Sequence, residues 1–156
     1  MFQIKLALRS FCAAHRLVKG YKGQCSHLHG HNYSINIALS GDKLDSIGMV
    51  IDFSVVKSLF NAWIDANLDH ATLVCSEDSS LFEFLKHDEQ KHYVLPGAKN
   101  TTAESLAEHL YSVFSTLLDE SGEQACMDEV EVWETVRSAA VYRSGSTVIT
   151  GSACGI

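Results

Sequence analysis

Residues 2–9 alternate: Phe2, Ile4, Leu6 and Leu8 on one face, Gln3, Lys5, Ala7 and Arg9 on the other. A period of two predicts a half-buried strand. It is expected to run on through Phe11, Cys12, Ala13 and Ala14 to His15, with a bulge where the alternation falters. A loop over 16–28, punctuated by Gly20 and Gly23, follows. Alternation resumes at His31, with Tyr33, Ile35, Ile37 and Leu39 apolar and Asn32, Ser34, Asn36 and Ser40 polar. These two strands should pair antiparallel and carry the loop between them.

The period then lengthens. Val56, Leu59, Phe60 and Trp63 recur at helical spacing after Asp52 or Ser54, either of which can cap. Leu106, Leu110, Val113, Phe114 and Leu117 do the same after Thr101, which stands three before Glu104 as a capping box requires. Strands are expected at about 127–136 and 139–143. Between the helices the pattern is weakest: 81–85 reads as a short helix and 92–95 as a short edge strand stopped by Pro96-Gly97. The order predicts an α+β fold, a four-stranded antiparallel sheet with two helices packed on one face. At 156 residues a single domain over 1–156 is expected, with 144–156 a loosely held tail.

Hydrophobic residues make up 46% of the chain and charged residues 20%, as in a globular protein. A net charge of -7 gives no electrostatic case for nucleic-acid binding. Arg16, Lys19 and Lys22 form a local basic patch, read either as a solvated loop or as a receiver of phosphate. The five cysteines are odd in number, irregular in spacing and lack a CxxC pair, which points to a reducing, cytoplasmic setting. Lys5 and Arg9 interrupt the apolar start, so it is not read as a signal peptide, and no stretch is long and apolar enough for a membrane span.

The chemistry concentrates in Cys25-Ser26-His27-Leu28-His29-Gly30-His31, with His15 ten residues upstream. His29 and His31 are two apart, so an extended backbone points both to one side. Three neutral imidazoles with an open fourth position make a catalytic zinc site. His15, His29 and His31 are therefore the candidate ligands, and Cys25 the nearby thiol. Glu134 sits in line with Val130, Val132 and Val136. It is either solvated at a strand end or an anchor accepting two parallel N–H bonds. Asp69-His70 alone is a common helix-end pair.

Taken together, several pieces resemble the 6-pyruvoyl-tetrahydropterin synthase family. They are Phe11-Cys12-Ala13-Ala14-His15-Arg16, Cys25-x3-His29-Gly30-His31, Met49-Val50-Ile51-Asp52-Phe53, Leu68-Asp69-His70, Asn100-Thr101-Thr102-Ala103-Glu104 and Trp133-Glu134-Thr135. The short gap between Cys25 and His29 resembles the 6-carboxy-5,6,7,8-tetrahydropterin synthase branch. The resemblance implies the tunnelling fold, assembled as trimers or hexamers whose sheets join into a barrel, with active sites between subunits. It implies a zinc-dependent lyase converting 7,8-dihydroneopterin triphosphate to 6-carboxy-5,6,7,8-tetrahydropterin, acetaldehyde and triphosphate, in queuosine and 7-deazapurine biosynthesis. His15, His29 and His31 would hold zinc; Cys25 would be the catalytic thiol, with Asp69 and His70 its proton-transfer partners. Glu134, helped by Thr102, would anchor the pterin. The alternatives are 6-pyruvoyl-tetrahydropterin synthase, which keeps the carbon chain, and a non-catalytic zinc or pterin-binding module.

Overall fold

Phe2–Ala7 (β1) and Phe11–His15 (β2) pair antiparallel, one after the other, with a single long strand, His29–Gly41 (β3). The computed structural model describes residues 1–18 and 20–144. The break between β1 and β2 follows from parity. Leu6 and Leu8 are buried, and the next buried positions are Phe11, Ala13 and His15. An even series cannot continue as an odd one without extra backbone, so the chain jogs at residues 8–10. Leu8 N–H still reaches the Ile35 carbonyl at 2.9 Å, while Arg9 N–H turns out to Asn61 Oδ1 at 3.1 Å.

On its other edge β3 pairs with Cys126–Thr135 (β6), which pairs with Ser138–Arg143 (β7). Beyond β2 the sheet adds Ala71–Cys75 (β4) and His92–Leu95 (β5), both running parallel to their inner neighbour. Among the described residues the sheet thus has seven strands and is mixed, which corrects the four-stranded antiparallel expectation. Among the described residues the α-helices number three rather than two: Phe53–Asn67 (α1), Ser79–His87 (α2) and Ala103–Ser121 (α3). A parallel neighbour needs a crossover, and α2 supplies it between β4 and β5. The pair His92–Leu95 does end the sheet as an edge strand.

Helices α1 and α3 close the core. Val56, Phe60 and Ile64 of α1 and Leu106, Leu110, Phe114 and Leu118 of α3 are buried against Leu6, Ile35, Ile37, Val130 and Val132. Phe60 and Phe114 stack at 4.3 Å between centroids; burying each contributes about 1.5–3 kcal/mol. Leu59 and Trp63, expected inside, flank this core and are only partly buried. Asp52 caps α1 by accepting from Ser54 N–H at 2.7 Å. The α3 cap is one residue later than expected: Thr102, not Thr101, accepts from Ser105 N–H at 3.3 Å. Gly122 ends α3 at φ 76°, a conformation glycine adopts without steric cost. Among the described residues no helix is long and apolar enough to cross a membrane. The expected tail falls almost wholly at 145–156, outside the described residues.

Candidate metal centre and active site

The β2–β3 register sets His15 directly opposite His29, and Ala13 opposite His31. All three imidazoles therefore leave one face at the same end of the ladder. Their ring centroids lie 4.7, 5.2 and 4.8 Å apart, and one ligand nitrogen from each falls within 4.8 Å of the others. Gly30 stands between the two β3 histidines, its missing side chain directed toward the Ala13 carbonyl.

Backbone carbonyls fix two of the tautomers. His15 Nδ1–H donates to the Thr101 carbonyl at 2.7 Å, and His29 Nδ1–H to the His27 carbonyl at 2.7 Å. A carbonyl only accepts, so each ring keeps its lone pair on Nε2. The Nε2 atoms of His15, His29 and His31 are all buried without a hydrogen-bond partner among the described residues. Burial, ahead of the opposing Thr101 bond, holds His15 below the usual imidazole range and so in its ligating form. Three convergent, unpartnered nitrogens fit a metal ion, and imidazole suits zinc, copper, iron or nickel. The His27 side chain is exposed; its carbonyl is what serves the site.

Glu134 reaches this centre from β6. Its Oε1 lies 3.4 Å from His15 Nε2 and 3.8 Å from His31 Nε2. The alternative of a merely solvated strand end is thereby disfavoured: the side chain is 28% exposed and aimed inward, whereas Val136, expected on the same face, is 93% exposed. A cavity of about 300 Å³ joins His15, Cys25, Thr102 and Glu134. Cys25 lies on a 3-10 turn, Gln24–Ser26, held by Leu17 N–H donating to the Cys25 carbonyl at 2.7 Å. Asn100 clamps the neighbouring strap, accepting from Val18 N–H at 2.6 Å and donating back to its carbonyl at 3.2 Å.

Other expected residues fall elsewhere. Arg16 makes two 2.7 Å bonds to Asp78, and a third bond to Ser80 Oγ at 3.0 Å. Its charge is matched inside the protein, and it holds the Asp78 carboxyl below the usual range. Lys22 is exposed, and Lys19 lies outside the described residues. Asp69 and His70 do not meet Cys25 within the chain. They follow α1 and sit against Cys12, whose side chain alternates with Ala13 and His15 onto the opposite face of β2. His70 Nδ1–H donates to Asp69 Oδ2 at 2.9 Å.

Some contacts were not anticipated from residue type. Tyr21 hydrogen-bonds Cys25, which raises the phenol above its ordinary range. Gly23 makes room for it, since a Cβ there would stand 2.4 Å from the Tyr21 oxygen. The spacing Tyr21-x-Gly23-x-Cys25 is the only trace of this in the sequence. Tyr33 is fully buried beneath the histidines, and burial, with Glu134 nearby, raises its phenol strongly.

A family model described as 6-pyruvoyl tetrahydropterin synthase matches residues 4–145. The 6-carboxy-5,6,7,8-tetrahydropterin synthase of Haemophilus influenzae is 32% identical over 149 residues, covering 92% of this chain and 99% of that protein. The enzyme of that name from Rickettsia felis is 35% identical over 127 residues, covering 80% and 88%. The one from Bacillus subtilis is 35% identical over 131 residues, covering 84% and 78%. Among solved structures, an uncharacterised protein of Wolinella succinogenes superposes with a TM-score of 0.76 at 23% identity, covering 92% and 98%. Caenorhabditis elegans 6-pyruvoyl tetrahydropterin synthase gives 0.66 at 22%, covering 92% and 96%. With the family model matching it along nearly its whole length, the chain belongs to the 6-pyruvoyl tetrahydropterin synthase family.

Proposed function

We propose that this chain is a zinc-dependent 6-carboxy-5,6,7,8-tetrahydropterin synthase. It converts 7,8-dihydroneopterin triphosphate to 6-carboxy-5,6,7,8-tetrahydropterin, acetaldehyde and triphosphate, a step of queuosine and 7-deazapurine biosynthesis in the cytoplasm. The observation that carries the reading is one cavity lined by His15, Cys25, Thr102 and Glu134, with the free Nε2 atoms of three histidines converging at His15. The relatives named for this activity choose the product.

His15, His29 and His31 would hold the ion, which would supply Lewis-acid chemistry that makes C–H and O–H groups of the substrate side chain more acidic. The Glu134 carboxylate accepts two parallel N–H bonds from the guanidine-like edge of the pterin, with Thr102 beside it. Cys25 takes a proton from the substrate side chain as thiolate. His70 relays protons, and Asp69 fixes its tautomer by accepting Nδ1–H. Lys19 and Lys22 remain the basic candidates for the triphosphate, because Arg16 is engaged by Asp78.

The relay belongs to a neighbouring copy. Cys25 opens on one face of the β2–β3 ladder and Asp69-His70 on the other, so one chain offers two half-sites. Joining the sheets of three copies into a barrel, as trimer or paired trimers, sets the Cys25 half of one against the Asp69-His70 half of the next. Each copy serves as one tunnelling-fold domain.

The deciding experiment is mass spectrometry of the products formed from 7,8-dihydroneopterin triphosphate by the zinc-loaded protein. Acetaldehyde with the 6-carboxy product supports the reading. Triphosphate release with the carbon chain kept intact makes the chain a 6-pyruvoyl-tetrahydropterin synthase. No turnover at all leaves a zinc or pterin-binding module.

A further inference from the structure

Cys12, His70 and Asp69 form a connected chain of their own. Cys12 Sγ lies 3.7 Å from His70 Nε2, and His70 Nδ1 lies 2.9 Å from Asp69 Oδ2. The Asp69 carboxylate can only accept from Nδ1–H, so Nε2 carries the lone pair and faces the thiol. A nucleophile within reach of a base that a third group orients is the arrangement by which proteins activate a thiol.

The arrangement is built, not incidental. Cys12 N–H donates to Asp69 Oδ1 at 3.1 Å, and His70 N–H donates to the Cys12 carbonyl at 2.8 Å. His70 adopts φ 59°, a left-handed conformation that costs a β-carbon residue free energy. The backbone accepts that strain where it holds the imidazole over Cys12. Lys91 Nζ donates to the Asp69 carbonyl at 2.7 Å and ties the turn down from β5. Cys12 is half-buried, not sealed, and with Asn32, His70 and Thr72 lines an open groove of about 460 Å³.

We propose that Cys12 is a second nucleophilic thiol, a modification site for small soft electrophiles, with His70 as its base. In reaction with iodoacetamide the sulfur forms a bond to carbon and the carbon–iodine bond breaks. Iodide leaves with the electron pair, and the thiol proton passes to His70 Nε2. An adduct on Cys12 stands against His70. Under the proposed function it therefore silences the relay; the reactivity itself does not depend on that reading.

The test is made on the zinc-loaded Cys25→Ala protein, so that the other site thiol is absent, with labelling read at the Cys12 peptide by mass spectrometry. An unassisted thiol is only a few per cent thiolate at neutral pH. Assistance from His70 is expected to carboxamidomethylate Cys12 about tenfold faster than the same residue in the urea-unfolded chain. Adding His70→Asn or Asp69→Asn, with folding checked by circular dichroism, should return it to the unassisted rate. Cys12 labelling at the unfolded-chain rate or not at all overturns the proposal, as does fast labelling unchanged by His70→Asn. Turnover enters none of these readings, so failure here is separable from failure of the synthase assignment, which the product analysis decides.

Discussion

Removing metal from the histidine centre should cost stability by an amount that can be worked out. Each of His15, His29 and His31 presents a buried Nε2 that no group among the described residues satisfies. A buried polar atom left without a partner costs about 1–3 kcal/mol. Ion binding relieves these penalties, a gain already contained in Kd, and stabilises the fold by about 2.7 kcal/mol in total when free zinc stands at 100 times its Kd. For a chain of this size a kcal/mol moves Tm by about 2–4 °C, so zinc should raise Tm by about 5–11 °C over chelator-treated protein. The informative variant is His31→Ala, because the His31 side chain is 19% exposed and its loss leaves a vented space, not a sealed cavity. It should lose most of the zinc-dependent rise. In chelator it should melt no lower than stripped wild type, since deleting an unpartnered imidazole deletes its penalty. Calorimetry at fixed protein concentration, with zinc titrated against chelator, measures both quantities. Stripped and loaded wild type melting together would refute the convergence argument, and so would a His31→Ala protein that keeps the full rise.

Cys25→Ala should bind zinc and melt like wild type yet turn over no substrate; retained turnover would remove the thiol from the mechanism. Co-expressing it with His70→Ala should restore activity at about a quarter of the sites, those where an intact Cys25 meets an intact neighbour's His70. Mixed oligomers as dead as either parent would place both groups in one chain. Arg16→Met leaves the Asp78 carboxylate, only 4% exposed, without its cation. It should cost about 2 kcal/mol by denaturant melts, below the full buried-pair penalty because Arg16 is partly exposed, with KM little changed. A large rise in KM at unchanged stability would make Arg16 the phosphate receiver instead. His109 is held below the usual imidazole range by burial and accepts from Tyr93 O–H at 2.7 Å as the neutral ring. As pH falls through about 6.5 the unfolded chain takes up a proton that the folded one refuses, so stability is full above that pH and declines below it. His109→Gln should flatten that part of the urea-midpoint profile, and an unaltered profile would show that another group sets it.

Much of this was legible because the signals are local. Two apart on an extended backbone means one face, and that alone put His29 and His31 together. Leu106, Leu110 and Phe114 declared α3 through their spacing, and Glu134 declared itself by interrupting a run of valines. What stayed hidden was non-local or lacked a period. Ala71–Cys75 is too short and uniformly apolar to distinguish a strand from a helix turn, and nothing in it says that it will run parallel to β2. Arg16 looked like a free cation because its partner, Asp78, is 62 positions away and belongs to the segment least readable by pattern. Thr101 and Thr102 are both competent caps. The choice between them is made by His15, which claims the Thr101 carbonyl and leaves the cap to its neighbour.

The jog at residues 8–10 links these observations. The buried face is carried by Leu6 of β1 and by Leu8 just beyond it, and on β2 by Phe11, Ala13 and His15. Had the alternation run on unbroken from Leu8, the inward positions would have been Cys12 and Ala14. His15 would then face away from His29 and His31, and Cys12 would enter the histidine cavity. The inserted backbone reverses that parity once. By doing so it gives β2 two chemical faces: the His15 imidazole of the histidine triad on one, and the Cys12 thiol against Asp69 and His70 on the other. Two faces of one strand cannot serve a single cavity in a single chain. Under the proposed function, the same step that assembles the histidine centre therefore leaves Asp69-His70 to serve the Cys25 half-site of another copy.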